Sequence, residues 1–353
     1  MSLHTLKIKD FRCIESAELA VDPNFNLIFG ANASGKTSIL EAIAYLGRGK
    51  SFRGASTRNL IRHGSDEFLL NGKVGDGARE ASIGVRNSRA GLEVSIDGDR
   101  SAGAAELAEL LPLQVVEPDV HGLISGGPEL RRRYLDWIAF HVEPGYLDAW
   151  RRFRRVLKQR NAALRDCGSE LGSWDREFCD ASLVVDDVRR RMLAGTLLTL
   201  QGTGVELLEA EVDFEYQQGW GSDLSLPDAL RAAEERDLAM GATQAGPHRG
   251  DLKLIYDQRQ ARKLVSRGQQ KLLACTLILA ATEVVQTELE KPLLLLLDDP
   301  AAELDPDSLG RLMLAVIGLG CQVIATSLGP DTGLFPDPPA VFHVEHGKLQ
   351  KVV

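Results

Sequence analysis

At 353 residues, with 44% hydrophobic and 26% charged residues, the chain is long enough for one large interrupted domain or two smaller ones of ordinary soluble composition. Its net charge of −9 argues against a protein that coats nucleic acid over its whole surface, so any DNA contact must use local basic patches. No apolar run approaches the roughly 20 residues of a membrane span, no signal-peptide core opens the chain and the five cysteines are scattered, which together predict a cytoplasmic protein with reduced thiols.

Residues 30–38 read GANASGKTS, which has the spacing of a Walker A loop. The apolar run FNLIFG precedes it and TSILEAIAYLG follows with helical spacing, in the order strand, loop, helix. Backbone N–H groups of such a loop surround phosphates, its lysine meets the β and γ oxygens, and its threonine reaches Mg²⁺. The alternative is a flexible glycine turn that happens to contain a lysine. The residues expected to hold a nucleotide are Gly30, Ala31, Asn32, Ala33, Ser34, Gly35, Lys36, Thr37 and Ser38.

The stretch from about 54 to 104 is predicted to form a small antiparallel β lobe. Its segments EFLLNGKV, EASIGVRN and GLEVSIDG partly alternate and are separated by turn clusters. From about 116 to 240 the pattern becomes helical, with one helix that begins near Pro144 and further helices over DDVRRRMLAGTLLTLQ and LPDALRAAEERDLAMG.

After residue 243 the pattern is mixed again. GDLKLIYD is followed by a long helix from about 268 and by apolar strands at 293–297 and 322–326. The predicted organisation is therefore α/β, with residues 1–115 and 241–353 as two parts of one nucleotide-binding domain and residues 116–240 as a helical insertion.

The segment KPLLLLLDDP offers the carboxylate that a Walker A loop needs. Leu293 to Leu297 read as a strand buried on both faces of a parallel sheet, and two aspartates follow at its carboxyl end, where ligands bind. Asp298 would hold Mg²⁺ through water, and Asp299 would orient or polarise the attacking water. A helix cap or a surface turn after a core strand is the alternative.

The segment SRGQ opens the long helix. A serine hydroxyl, a bare glycine backbone and a helix N-terminus form a second anion site, which Ser266, Gly268 and Gln269 would provide. By itself this could be an ordinary helix cap. After a Walker A loop and before a Walker B strand, it resembles the signature of the ABC-type ATPases, which meets ATP held by the Walker loop of a partner subunit. By the same resemblance, AAELD at 301–305 is similar to the D-loop and Gln114 to the Q-loop glutamine.

The resemblance extends to the RecF family of bacterial recombination-repair mediators over nearly the whole chain, from about residue 8 to FHVEHGKL. It rests on strings in the same order and spacing: FRCIESAEL, FGANASGKTSILEAIAYLGRGKSFR, GGPELRRRYLDW, QAGPHRGDL, SRGQQK and DDPAAELD. It implies a P-loop fold of the ABC-ATPase type and a weak, DNA-stimulated ATPase that dimerises around ATP and Mg²⁺ on gapped or junction DNA. It also implies that RecO and RecR are partners in RecA loading.

The resemblance assigns roles to particular residues. Lys36 and the loop would bind phosphate, Asp299, Lys36 and Gln114 would serve hydrolysis, and Thr37, Asp298 and Gln114 would serve Mg²⁺. Ser266 would act on the partner's ATP.

Two positions depart from the pattern of relatives. Ala33-Ser34 replaces a glycine followed by a variable residue, so Ala33 must tolerate the glycine conformation. Thr326 and Ser327 stand where many ABC ATPases have a histidine that senses the γ-phosphate, and a hydroxyl cannot act as a cationic switch.

Two basic groups are candidates for DNA phosphate contacts, because an acidic protein that binds DNA must concentrate its positive charge. A solvated helix face, or pairing with nearby acids such as Asp136 and Asp148, is the alternative for any single arginine. The residues are Arg131, Arg132 and Arg133 in one group and Arg151, Arg152, Arg154, Arg155 and Lys158 in the other.

Other classes fit less well. A transporter ATPase subunit would share the three motifs but needs a surface coupled to membrane helices, and an SMC head needs hundreds of heptad residues between its halves. A phosphotransferase with only a Walker A loop does not explain Ser266 to Gln269. His248 and Arg249 in GPHRGD are interpreted as structural.

Overall fold

The chain folds into two units in the computed structural model, which describes residues 2–75, 79–100, 103–166, 171–263 and 265–352. One unit combines residues 1–120 with 290–353, and the other contains residues 121–289. Cys167 lies outside the described residues.

The first part of the unit that combines residues 1–120 and 290–353 contains an antiparallel sheet of five strands. Their order is β2 (Ile14–Ala20), β1 (Ser2–Phe11), β4 (Glu67–Gly75), β5 (Glu80–Ser88) and β6 (Gly91–Ile96). The β lobe predicted after the Walker helix is therefore present, and the first two strands of the chain belong to the same sheet. The elements are β1 Ser2–Phe11, β2 Ile14–Ala20, β3 Phe25–Phe29, α1 Lys36–Arg48, α2 Thr57–Leu60, β4 Glu67–Gly75, β5 Glu80–Ser88, β6 Gly91–Ile96, α3 Ala104–Leu110 and β7 Leu113–Val116.

The second unit is mainly helical, with a small sheet in the order β10-β9-β8. Its longest helix, α7 (Leu171–Leu208), has 38 residues and packs against α6 (Tyr146–Arg165) and α9 (Arg267–Leu289). The elements are α4 Gly122–Ser125, α5 Pro128–Val142, α6 Tyr146–Arg165, α7 Leu171–Leu208, β8 Val212–Gln217, α8 Leu226–Met240, β9 Asp251–Tyr256, β10 Arg259–Gln260 and α9 Arg267–Leu289.

The chain then returns to the first unit and completes a six-stranded sheet. The elements are β11 Leu294–Leu297, α10 Pro306–Gly318, β12 Gln322–Ser327, β13 Ala340–Glu345 and β14 Lys348–Lys351. The order is β14-β13-β3-β12-β11-β7, parallel except for β14. Leu294 to Leu297 are fully buried, as a strand covered on both faces requires. The apolar residues of α1 from Ile39 to Leu46 are buried in the same core.

The unit boundary differs from the predicted one, because residues 241–289 group with the helical residues. The reason is the packing of α9, which is buried around most of its circumference and contacts α5 and α7. Its composition also gives a mean hydropathy of 1.5 over 18 residues, enough for a candidate membrane span, but 67% of that window is buried inside the protein. A helix that is mostly buried in this way is typical of a protein core. The cytoplasmic location of the protein remains a prediction.

Candidate functional site: a Walker-type nucleotide site

The Walker A loop follows β3 and leads into α1, as the sequence predicts. Gly30 cannot carry a side chain, because a Cβ there would lie 2.3 Å from the carbonyl oxygen of Val344. Gly35 has φ +117° and Ala33 has φ 61°, so Ala33 does adopt a left-handed backbone conformation that favours glycine. The loop is fixed further by a hydrogen bond from the Gly347 N–H to the Ser34 carbonyl at 2.8 Å.

Lys36 points back into this loop. Its Nζ donates to the carbonyl oxygens of Gly30 at 2.6 Å and Ala31 at 2.9 Å. Partial burial lowers the pKa of the ammonium, while the negative charges of Asp299 and Asp298 act in the opposite direction. Carbonyl groups of the loop therefore hold the ammonium, and the carboxylates of Asp298 and Asp299 act on its charge.

Asp298 joins three elements of the site through one oxygen. Its Oδ1 accepts hydrogen bonds from the Thr37 hydroxyl at 3.0 Å and from the Thr326 hydroxyl at 2.9 Å. The same Thr326 oxygen accepts from the Asp299 N–H at 2.8 Å. The Walker A threonine, the Walker B aspartate and the end of β12 thus converge, and the hydroxyl of Thr326 is committed to holding both aspartates.

The carboxylate of Asp298 is nearly buried, with 5% of the residue exposed. Burial raises its pKa, and the hydrogen bonds from Thr326 and Thr37 oppose that change. A cation near Asp298 would favour the ionised form of its carboxylate, so this position is suited to binding a cation.

Two charged groups that the sequence analysis missed also belong to this neighbourhood. Val116 pairs with Leu297, which places Glu117 beside Asp298 at the end of the sheet. The pKa of Glu117 is raised, mainly by burial and then by Asp119, with Asp298 adding to the effect and Arg53 opposing it. Arg53 lowers the pKa of Asp298 as well. The pairing of β7 with β11 is the signal for Glu117, and no linear motif contains it.

Gln114 is not brought to the metal position. It pairs with Leu295 inside the sheet, three residues before the level of Asp298, which is roughly 10 Å along a strand. Its side-chain oxygen accepts from Arg48 at 3.3 Å, at the far end of α1. In this structure the roles predicted for Gln114 in hydrolysis and Mg²⁺ binding therefore have no geometric support.

The residues of the signature segment form a reciprocal helix cap in the second unit. The Gln269 N–H donates to the Ser266 hydroxyl at 3.3 Å, and the Ser266 N–H donates to the Gln269 side chain at 2.9 Å. Ser266 and Gln269 are both exposed, so their side chains are reachable from solvent. In the D-loop segment, Asp305 caps α10 by accepting from the Ser308 N–H at 2.9 Å.

The structure divides the predicted DNA-binding arginines into two classes. Arg131 is 4% exposed and forms a bidentate pair with Asp251 at 2.7 and 3.1 Å, and Arg132 donates to the Gly250 carbonyl at 2.7 Å. The Arg131 side chain is used inside the fold, which corrects the prediction for it. Arg132 is half-buried with this one internal contact, and its DNA contact stays a prediction. Exposed side chains remain at Arg133 and, along α6, at Arg151, Arg152, Arg154, Arg155 and Lys158.

The segment GPHRGD is structural, as predicted. His248 Nε2 lies 2.9 Å from the Thr243 carbonyl oxygen, and its ring packs near Phe153 and Phe178. Burial lowers the pKa of His248 to about 4, so the ring is neutral at physiological pH.

Comparisons with known proteins identify the family. The family model described as RecF/RecN/SMC N terminal domain matches residues 2–337. The DNA replication and repair protein RecF of Erwinia tasmaniensis is 38% identical over 355 residues, covering 99% of this chain and 98% of the relative. The protein of the same name from Yersinia pseudotuberculosis serotype O:1b is 39% identical over 356 residues, covering 99% of both chains.

Solved structures agree with this family in fold. The structure of the recombination mediator protein RecF-ATPrS in the RecFOR pathway matches with a TM-score of 0.89 at 25% identity, over 99% of this chain and 98% of that chain. An Smc head bound to the C-winged helix domain of ScpA matches in fold with a TM-score of 0.62 at 17% identity, over 100% of this chain and 98% of that one. The predicted P-loop fold of the ABC-ATPase type is confirmed, and the chain belongs to the RecF/RecN/SMC family and, within it, to the RecF DNA replication and repair proteins.

Proposed function

We propose that this chain is an ATP-dependent DNA-binding mediator of recombination repair with weak ATPase activity. It would dimerise around ATP on gapped or junction DNA and, with RecO and RecR, promote RecA loading at gaps and stalled forks. The observation that carries the nucleotide part is the convergence of Thr37 and Thr326 on one oxygen of Asp298. The proposed role in repair is supported by the relatives named DNA replication and repair protein RecF, which match over nearly their whole length.

The residues present fit a nucleotide triphosphate. The buried Ser34 hydroxyl of the loop has no hydrogen-bond partner among the described residues. Helix α1 begins at Lys36, so its first N–H groups have no acceptor inside the helix and are oriented toward an anion. Lys36 would exchange its two carbonyl contacts for phosphate oxygens.

The residues also fit Mg²⁺. Among the described residues no cluster of three His, Cys, Asp or Glu side chains could hold a metal alone, whereas Mg²⁺ commonly uses one or two protein oxygens together with phosphates and water. Thr37 and Asp298 supply a hydroxyl and a carboxylate 3.0 Å apart. When bound, Mg²⁺ would neutralise phosphate charge, and Asp298 would hold its water shell.

Within the site, Asp299 would orient water. Its backbone has φ 49° and its N–H is fixed by Thr326, so the position of its carboxylate depends on the end of β12. Thr326 stands where other ABC ATPases have a histidine that senses the γ-phosphate. Its hydroxyl cannot carry a positive charge, which agrees with the weak ATPase activity proposed here.

Equilibrium binding of a fluorescent ATP analogue tests the nucleotide part directly. Lys36→Met removes the ammonium of the Walker A loop, and we expect it to abolish detectable binding in the presence of Mg²⁺ without unfolding the protein. Lys348→Met, at an exposed position on β14, is the control and should bind like the wild type. Equal affinity of the Lys36 variant and the wild type would rule out the Walker A assignment.

A further inference from the structure

One face of α7 is apolar and is not covered by the described residues. Leu198 is 80% exposed and Val205 is 58% exposed, and they lie two turns apart on the same side of the helix. Gly195 and Gly202 lie on that side as well, each three residues before one of them. A Cβ at either glycine would meet no described atom within 4 Å. We call these four residues the α7 stripe, in which two projecting side chains alternate with two open notches.

The opposite side of the same helical segment is packed inside the protein. Leu193 and Leu200 are buried, and α7 packs against α6 and α9. No charged residue occurs from 192 to 205, so this segment is uncharged all round. A helix without a charged face is normally buried, and large apolar side chains exposed at helical spacing mark a contact surface.

The stripe is complementary in shape to a second copy of itself. When two α7 helices lie antiparallel with a two-fold axis beside residue 200, Leu198 of each copy lies opposite Gly202 of the other. Val205 then lies opposite Gly195 of the second copy, so every projecting side chain fills a notch. In a parallel pair Leu198 would meet Leu198, and the facing glycines would leave unfilled space, which forfeits packing contacts.

Charges at the two ends of the stripe favour the same antiparallel arrangement. Arg191 precedes the stripe and its side chain is 49% exposed, whereas Glu206 and Glu209 follow the stripe and are exposed. An antiparallel pair brings Arg191 of one copy to the acidic end of the other, and a parallel pair brings like charges together. In the described part of the chain Arg191 donates three of its five N–H groups to Asp187 and Glu143, so two donors remain for a carboxylate of the second copy.

We infer that the α7 stripe is a self-association surface, which packs antiparallel on the α7 stripe of a second copy of this chain. The seam from residue 195 to residue 205 is about 15 Å long and one helix wide. Stable complexes bury about 800 Å² per partner, which is more than such a seam covers, so we expect weak association with a dissociation constant on the order of 10⁻⁴ M. The stripe belongs to the helical unit and includes no residue of the nucleotide site, so this inference does not rest on the proposed ATP site.

Sedimentation equilibrium of the full chain without nucleotide, at protein concentrations up to about 0.3 mM, measures this association. Leu198→Ala shortens a side chain that the symmetric pair uses twice, and it should raise the dissociation constant at least about tenfold. Gly202→Leu fills the notch and should weaken association to a similar extent. Combining the two substitutions exchanges the projecting position and the notch, and it should restore a dissociation constant within about threefold of the wild type.

The matched control is Leu314→Ala. Leu314 lies on α10 in the other unit and is 70% exposed, so its truncation removes a similar exposed side chain away from the stripe. It should leave the dissociation constant unchanged. Circular dichroism of every variant checks that helix content is kept, which substitutions at exposed positions should allow.

Two kinds of result would overturn the inference. A wild type that stays monomeric over this concentration range would leave the stripe to a partner of another kind. A dimer that Leu198→Ala does not weaken, or a double variant that associates no better than either single variant, would refute the antiparallel pairing. The proposed function is tested separately by ATP-dependent dimerisation at low concentration, so either proposal can fail without the other.

Discussion

Single residues at the nucleotide site divide according to whether a linear motif contains them. Thr37 and Asp298 lie in motifs whose spacing is fixed by the chemistry, and the structure brings them together as predicted. Glu117 could not be found in this way, because it lies beside Asp298 only when β7 pairs with β11. Arg53 ends the string FGANASGKTSILEAIAYLGRGKSFR, but its place in that string does not indicate its electrostatic effect on Asp298. The glycine-like conformation of Ala33 was predictable, since the loop geometry fixes its backbone.

His248 predicts a specific pH dependence of stability. Its pKa is about 4 in the folded protein and about 6.5 when unfolded, so it contributes no pH dependence above pH 6.5. As the pH falls from 6.5 to 4, only the unfolded chain takes up the proton, and the free energy of unfolding should fall by about 3 kcal/mol through this group.

Urea denaturation at several pH values checks this prediction. His248→Gln should be less stable than the wild type at pH 7, and the difference should shrink or reverse by pH 4.5. His63→Gln, at an exposed position, is the matched control. A difference between wild type and His248→Gln that does not change with pH would show that the imidazole is not held neutral.

At the scale of elements, the sequence predicts helices and strands better than it predicts which side chains are buried. Helix α6, both buried strands and the β lobe lie where periodicity places them. Arg131 was expected on a DNA surface, yet it is buried against Asp251, because apolar periodicity does not show which arginine has an internal partner. Helix α9 belongs with α5 and α7 for a similar reason: its contacts come from distant segments.

Arg160 shows how the helices of the second unit are held together. It is 0% exposed and donates to Asp175 at 2.7 Å, Asp237 at 2.7 Å and Thr243 at 2.8 Å. Arg160→Met should cost about 3–5 kcal/mol in chemical denaturation, because it leaves Asp237 buried without its cation. Adding Asp237→Asn should recover part of the loss.

The control for Arg160→Met is a substitution in an exposed ion pair on α8. Arg231→Met breaks the ion pair with Asp228 and should cost less than about 1 kcal/mol, because both side chains are largely in solvent. A similar small cost for Arg160→Met would show that its three contacts add little to stability.

Helix α6 carries most of the exposed basic residues that are proposed to contact DNA. Arg151→Glu with Arg155→Glu should weaken binding to gapped DNA and reduce the dependence of log K on log salt by about two to four, since two cations become anions. Arg231→Glu with Arg236→Glu, at two exposed positions on α8 of the same unit, is the control because it changes the overall charge by the same amount. Unchanged affinity and salt slope in the double variant would move the DNA contact away from α6.

For the whole molecule, the proposed function requires two chains. The signature residues cap their own helix in the single chain, and Ser266 and Gln269 are exposed. ATP bound by Lys36 of one subunit and met by Ser266 of the other would favour the closed dimer over the monomer by its differential affinity for the two states. Composition and periodicity do not predict a dimer. The dimer is proposed because SRGQ resembles the ABC signature, which contacts ATP held by a partner subunit.

Sedimentation velocity with and without ATP and Mg²⁺ tests this central claim most directly, using labelled gapped DNA in parallel runs. The wild type should change from monomer to a DNA-bound dimer only with ATP, whereas Ser266→Arg should still bind the ATP analogue and stay monomeric. A wild type whose oligomeric state and DNA binding do not respond to ATP, or a Ser266→Arg variant that dimerises equally well, would contradict the account.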